Sequence, residues 1–542
     1  MSGRLARALV LGYVCTLATF ICTARAADGE PGREESVMKF RARVDLGADV
    51  GQNFGSLFEA RTADGRLVIG AGFMGLYNTM FRNDRYCLHL FVRPASGERK
   101  FTMERLPRPS DDAGTYLFGF GGKLYSYSHG EDKTVRWWNT QLGKWEVEPG
   151  PAIDRMRLGS GVLSFGDSEV WFNGNSILSP PPQGQYSKFY YASGRLFFYH
   201  KDMAGDGEYR AYQADDRGYS KLYACPWSPA EVVVDLSKAV ITTLPFVGET
   251  PFSYGQLAGD VLTCSNIGGL YSFDGQQWRT LVDPQLGTSY QIYTMVNFYD
   301  EVLMGQYPSG VLYEFDGSTV TRLDGSPPRI EGVAGNSREA QTSAIYGGDL
   351  YVGVWPWAEL WRHSPGPNEW DAVGRMFTHP RVTDKTTHPY ERECEAADVV
   401  LNQWGQRITS LVPIGDSLVV GTSAKWPCKW EPKFSFVSGG KWQEYGSVIR
   451  LRTPGNLSVS LRRTTGPTEL EFAVSQSTLR ITQNGSLLAS TGLAGPLSAE
   501  VAAAAGLGKI SWAQGVFGRF AGAYVEGEAE WTIHAEAKTP DQ

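Results

Sequence analysis

His129, Glu131 and Asp132 stand within four positions of one another in a polar stretch, and Lys133 comes next. An imidazole beside carboxylates can act as a general base or hold a metal ion, which makes this the most enzyme-like cluster of the chain. Tyr199 and His200, followed by Lys201 and Asp202, form a second pairing of that kind. The candidate catalytic residues are therefore His129, Glu131, Asp132, Tyr199 and His200, although a polar loop tip accounts for the first cluster equally well. Asn173, Asn175 and Asn266 add amides, and Tyr307, Trp355, Trp357 and Trp426 add aromatic faces. A sugar ligand needs both kinds. Rings stack on its apolar faces, while amides and charged groups such as Lys133, Lys201 and Asp202 fix its hydroxyls. The competing expectation for each Trp is packing between sheets.

The segment from Phe377 to Gln403 is long and charged for a connection, and reads as a surface or binding loop. It contains His379, His388, Tyr390 and Cys394, without a His-x-x-x-His pair or a carboxylate triplet. Cys394 with Cys428, close in sequence, is the disulfide candidate. No CxxC, GxSxG, Walker or zincin motif occurs, so no cofactor is implied and a metal ion stays an open question. The formal net charge of −7 offers no attraction to phosphate backbones and argues against a nucleic-acid partner.

Scattered residues of this kind converge only if the fold gathers distant loops, and the sequence supplies a repeat that does so. In its clearest copy, Ser343 to Tyr346, Asp349 to Val354, Leu360 to Ser364 and Glu369 to Val373 read as four strands, with Gly347-Gly348 as the first turn. Similar copies start near Leu117 and Tyr254, and others centre on Asp64-Gly65, Tyr299-Asp300 and Gly415-Asp416. Asp-Gly and Gly-Gly supply the positive φ of two-residue hairpins. Between Leu158 and Cys225, Gly166-Asp167 and Gly194 each open a second strand, giving one irregular copy or two. The abundance of 63 Gly, 26 Tyr, 26 Phe and 16 Trp suits many short strands. A spacing of roughly 50 residues per copy fits a propeller better than a solenoid.

The expected fold is all-β: a seven- or eight-bladed β-propeller of four-stranded antiparallel blades, followed by a small β-sandwich. The expected boundaries are a signal peptide at 1–26, a lead-in at 27–53, the propeller at 54–447, the sandwich at 448–538 and a tail at 539–542. Loops between second and third strands should then share one face. Arg4 and Arg7 before the apolar run Ala8 to Cys22, with Ala24-Arg25-Ala26 behind it, read as a Sec-type signal, so secretion or a periplasmic location is expected. No later stretch approaches the roughly 20 apolar residues that cross a bilayer.

YGGDLYVG (Tyr346 to Gly353) and GGKLY (Gly121 to Tyr125), with outer-strand tryptophans at Trp145, Trp278, Trp370 and Trp442, resemble kelch-like and related bacterial propellers. LRITQNGSLLAS (Leu479 to Ser490) is weakly similar to laminin-G-like or carbohydrate-binding sandwiches. Several polysaccharide lyases are propellers that use His, Tyr and Arg, an analogy of fold that bears on His129, His200 and Tyr199. The leading expectation is a secreted binding protein whose propeller face recognises a glycan or a cell-surface partner. A polysaccharide lyase or hydrolase using that face is the alternative, and a scaffold for surface assembly the third.

Overall fold

Between Thr102 and Arg452 the alternating apolar runs pair into seven antiparallel sheets, each built on four strands. The computed structural model describes residues 37–44, 56–73, 77–78, 86–97, 99–128, 130–148, 154–203, 217–257, 259–299, 301–365, 370–462, 464, 467–504, 507–511, 525–527 and 531–533. Blades 1 to 3 begin with Tyr116–Phe120, Asp154–Leu158 and Gln185–Ala192. Blades 4 to 6 begin with Pro251–Leu257, Gln291–Phe298 and Glu339–Tyr346, and each of these six blades adds its next three strands in sequence order. Blade 7 differs. Gln406–Ile414, Ser417–Ala424 and Val448–Arg452 form its inner three strands, and Thr102–Leu106 comes from the other end of the ring to complete it.

The first strands surround the axis and are tied to each other by hydroxyls. Ser253 Oγ donates to Ile292 O (2.7 Å), Thr294 and Ser343 hydroxyls meet at 2.9 Å, and Thr342 Oγ1 donates to Ile408 O (3.2 Å). Leu117 N donates to Ser410 Oγ (2.6 Å), which joins blade 7 to blade 1. Stacked Tyr190 and Tyr254, 5.0 Å apart, join blade 3 to blade 4, and Phe165 on Phe189 at 5.8 Å joins blade 2 to blade 3. Opposite three of these hydroxyl residues the second strand carries glycine: Gly305 pairs Thr294, Gly353 pairs Thr342 and Gly421 pairs Ser410. A Cβ at Gly305 would overlap Ala340 O of the next blade, and one at Gly353 would stand 2.8 Å from Ile408 Cβ. The chain is thus an all-β propeller.

The sandwich is not a separate C-terminal piece, which corrects the expected boundaries. One sheet combines Val37–Val44 with Thr468–Ser475, Thr478–Gln483 and Ser486–Gly492. The sheet packed on it combines Asn456–Ser460, Cys87–Pro94, Leu67–Phe73, Ser56–Thr62 and Leu507–Ser511. Phe40 stacks on Phe58 at 4.6 Å, and Phe58 meets Phe472 edge-on at 5.7 Å within one apolar core. The helix Gly495–Ala503 adds Leu497 and Val501 to that core. The hairpin at Asp64-Gly65 therefore has the alternation of a blade but buries its apolar side on this core. Val448–Arg452, expected in the sandwich, is the third strand of blade 7. Trp442, expected on an outer strand, is buried on the short helix Gly440–Glu444, because Thr102–Leu106 takes the outer place. Trp145, Trp278 and Trp370 do stand on fourth strands. The signal peptide and the tail lie outside the described residues.

The sandwich covers the turns that join first to second strands. Ser458 N donates to Gly415 O (2.6 Å), Gly159 N donates to Tyr86 Oη (2.7 Å), and the Phe91 ring fills the space a Cβ of Gly348 would need. Asp349 is buried in the joint with Arg362 at 3.2 Å, Arg99 at 3.4 Å and Arg93 at 3.6 Å. Tyr77–Asn78, which follows Leu67–Phe73 in sequence, pairs with the inner edge of blade 5 at Thr294 and Met295. The connections between second and third strands lie on the opposite face of the ring. Among the described residues no helix is long and apolar enough to cross a membrane.

Candidate functional site

Five consecutive first strands break their ladder at the same height, near the end away from the sandwich. The register shifts fall between Ser187 and Tyr190, Pro251 and Ser253, Ile292 and Thr294, Ala340 and Thr342, and Ile408 and Ser410. A β-bulge re-aims a side chain, and here it sets Lys188, Phe252, Tyr293, Gln341 and Thr409 around the inner rim. Lys188 Nζ lies 5.3 Å from the Phe252 ring centre, and Phe252 meets Tyr293 edge-on at 5.6 Å. Tyr293 Oη then donates to Glu339 Oε1 (3.5 Å).

Glu339 is the hub of the rim, only 1% exposed. Its Oε1 accepts from Lys425 Nζ at 2.8 Å and its Oε2 from Arg407 Nη2 at 3.3 Å. Burial pushes the Glu339 carboxyl up, but Lys425 and Arg407 outweigh it and hold the group below its usual range. Burial, then the Arg407 charge, lower Lys425, with Glu339 opposing them. Burial and then the Glu339 charge raise the Tyr293 hydroxyl well above its usual range. Lys425 Nζ also sits 4.8 Å from the Trp355 ring centre, and His388, from the connection after blade 6, tilts against that ring at 4.8 Å. Three buried polar atoms around this rim have no hydrogen-bond partner: Arg407 Nε, Trp355 Nε1 and Gln341 Oε1. Such groups carry a desolvation cost that a ligand or water relieves.

Of the residues expected from sequence, Trp355 joins this rim, and Tyr307 ends the second strand of blade 5 opposite Gln291, two residues before Tyr293. Asn266 stands in the same class of loop, but its side chain accepts from Thr250 N (2.9 Å) and holds the backbone. Trp357 is fully buried under the Arg375 guanidinium, with its indole donating to Thr387 O (3.1 Å). Trp426 is 54% exposed and bonds Asn402 (3.3 Å) outside the rim. Glu131 pairs with Lys429 (2.9 Å), Asp132 with Arg136 (2.9 Å), and Lys133 lies 5.8 Å from the Tyr127 ring centre. Their neighbour His129 lies outside the described residues.

Tyr199 and His200 are inside blade 3. Tyr199 Oη donates to Glu249 O (2.6 Å), and His200 Nε2 lies 2.9 Å from Gln183 O and 3.0 Å from Tyr219 Oη. Asp202 bonds Gln183, and Lys201 is half-buried on the same strand. Asn173 lies in the turn between third and fourth strands of blade 2, where its Oδ1 accepts from Val162 N (2.9 Å), and Asn175 opens the fourth strand after that turn. That turn is at the sandwich end, away from the rim, because Gly166-Asp167 follows the second strand, Gly161–Phe165, and does not open it; the stretch from Leu158 to Cys225 contributes to two sheets. Cys394 and Cys428 are free thiols, which removes the expected disulfide. Among the described residues no three His, Cys, Asp or Glu side chains gather to hold a metal.

Sequence reasoning missed Lys188, Phe252, Tyr293, Glu339, Gln341 and Arg407. A signal exists: in Phe252-Ser253, Tyr293-Thr294, Gln341-Thr342 and Thr409-Ser410 a hydroxyl residue follows the bulged one, at a constant distance from the strand end.

The fold and rim define a β-propeller joined to a sandwich that closes one of its faces. No family model and no curated protein matches the chain. Among solved structures it is similar to the WD40 β-propeller domain of Doa1, with 10% identity over 65% of this chain and 96% of that one, and a TM-score of 0.36. BamB from Moraxella catarrhalis is 11% identical over 73% of this chain and 90% of that one, with a TM-score of 0.28. A structural-genomics protein of unknown function from Bacteroides thetaiotaomicron is 10% identical over 79% of this chain and all 100% of that one, with a TM-score of 0.29.

Proposed function

We propose that this chain is a secreted binding protein that holds a glycan at the propeller rim opposite the sandwich. The observation that carries it is the repeated bulge, which brings Lys188, Phe252 and Tyr293 from three blades into one contiguous surface. Bulges interrupt ladders at a cost, and a run of five at one height needs a reason that packing alone does not give. Half-buried aromatic faces beside unpartnered polar atoms suit a sugar, which stacks and hydrogen-bonds at once. Glycan-array screening followed by calorimetry tests it. Phe252→Ala should weaken the best array ligand about tenfold, the equivalent of about 1.4 kcal/mol, while Trp426→Ala should leave it unchanged. Equal effects from both, or no glycan bound at all, would reject the assignment.

A further inference from the structure

We infer that the rim selects a carboxylate-bearing sugar, of the uronic-acid class, over neutral sugars; this rests on the glycan reading above. Arg407 and Lys425 share one buried carboxylate, Glu339, while Glu391 is held by His388 at 2.7 Å, so the three directly paired groups carry one net positive charge. The imbalance is local, since the chain as a whole carries −7. Buried charge without a counter-charge is costly, and an arriving carboxylate removes the excess.

The donors are suited to it. Arg407 Nε is buried without a partner, beside the Nη2 that already holds one Glu339 oxygen. A guanidinium presents its N–H groups in one plane, a geometry that matches the two oxygens of a carboxylate. Gln341 Oε1 is an acceptor, which an acid group cannot satisfy but a sugar hydroxyl can. Tyr293 and Phe252 flank these groups as ring faces. Acid, hydroxyl and apolar ring face are the three features a sugar acid carries on one residue.

The test compares matched neutral, uronate-bearing and sulfated neutral oligosaccharides by array and calorimetry, at about 50 and 300 mM salt. The expected result is at least tenfold tighter binding of uronates than of neutral sugars, a preference that shrinks at high salt as screening grows. Lys425→Met should reduce that preference severalfold, and circular dichroism of the variant checks folding. Neutral sugars bound as tightly as uronates, or sulfated sugars bound in preference, would overturn the acid specificity and leave glycan binding standing. No binding of any sugar would overturn both.

Discussion

Replacing Glu339 by Gln should cost this protein more than any other single change at the rim. The amide keeps the shape but removes the one negative charge between Arg407 at 3.3 Å and Lys425 at 2.8 Å. Taking one partner from a buried ion pair typically costs about 3–5 kcal/mol, because the remaining charge stays desolvated and unpaired. With an unfolding entropy of about 2.1 cal/mol/K per residue, a cooperative unit of several hundred residues shifts by roughly 1 °C per kcal/mol. Glu339→Gln should therefore melt about 3–5 °C below the wild type in calorimetry at pH 7, and adding Lys425→Met should restore part of the loss. The difference must also depend on pH. Two nearby cations hold the Glu339 carboxyl below its usual range, so its stabilisation is complete above the unfolded value of about 4.3 and disappears as pH falls through the folded value. A variant that melts within about 1 °C of wild type at pH 7, or a gap that widens below pH 4, would refute the reasoning.

Two further outcomes follow from other parts of the molecule. Both ring nitrogens of His89 are buried in the sandwich without a partner, and burial pushes its pKa down to about 4. Its neutral form is the one that folds, so stability is full above the unfolded value of about 6.5 and falls by about 3 kcal/mol as pH drops to 4; denaturant titrations of wild type against His89→Leu should show that slope only in the former. Gly305→Ala should destabilise by about 1–3 kcal/mol in the same assay, since its Cβ would overlap Ala340 O of the neighbouring blade, and an unchanged or raised midpoint would mean that the blades are not so closely joined.

The propeller was legible because each blade announces its own turns and alternation locally. Gly121-Gly122, Gly347-Gly348 and the tryptophans at 145, 278 and 370 stand where the repeat puts them. What alternation does not encode is the partner. Leu67–Phe73 reads like any second strand, and only the distant Phe40 and Phe472 reveal that it belongs to the sandwich. The same limit explains the boundary near Val448, where a strand with ordinary alternation goes to blade 7. The proposed site was partly legible: loop reasoning reached Trp355 and the face on which the rim lies, yet the rim is built within strands, by bulges that a period of two conceals. His200 and Tyr199 misled for the reverse reason, since polar groups that serve packing and polar groups that serve a ligand look alike until their partners are known.

Both halves of this molecule are buckled by segments from opposite ends of the chain. Arg41 meets Glu471 across 430 positions in the sandwich, and Arg450 meets Glu104 across 346 in blade 7. On a ribosome, six blades can emerge and stack while the ring still gapes and Leu67–Phe73 waits for its core. The last stretch after Gln406 is a keystone: until it arrives, the facing sides of blades 6 and 1 and both edges of the sandwich sheet around Leu67–Phe73 are open to other nascent chains, which makes synthesis the hazardous moment of this protein's life.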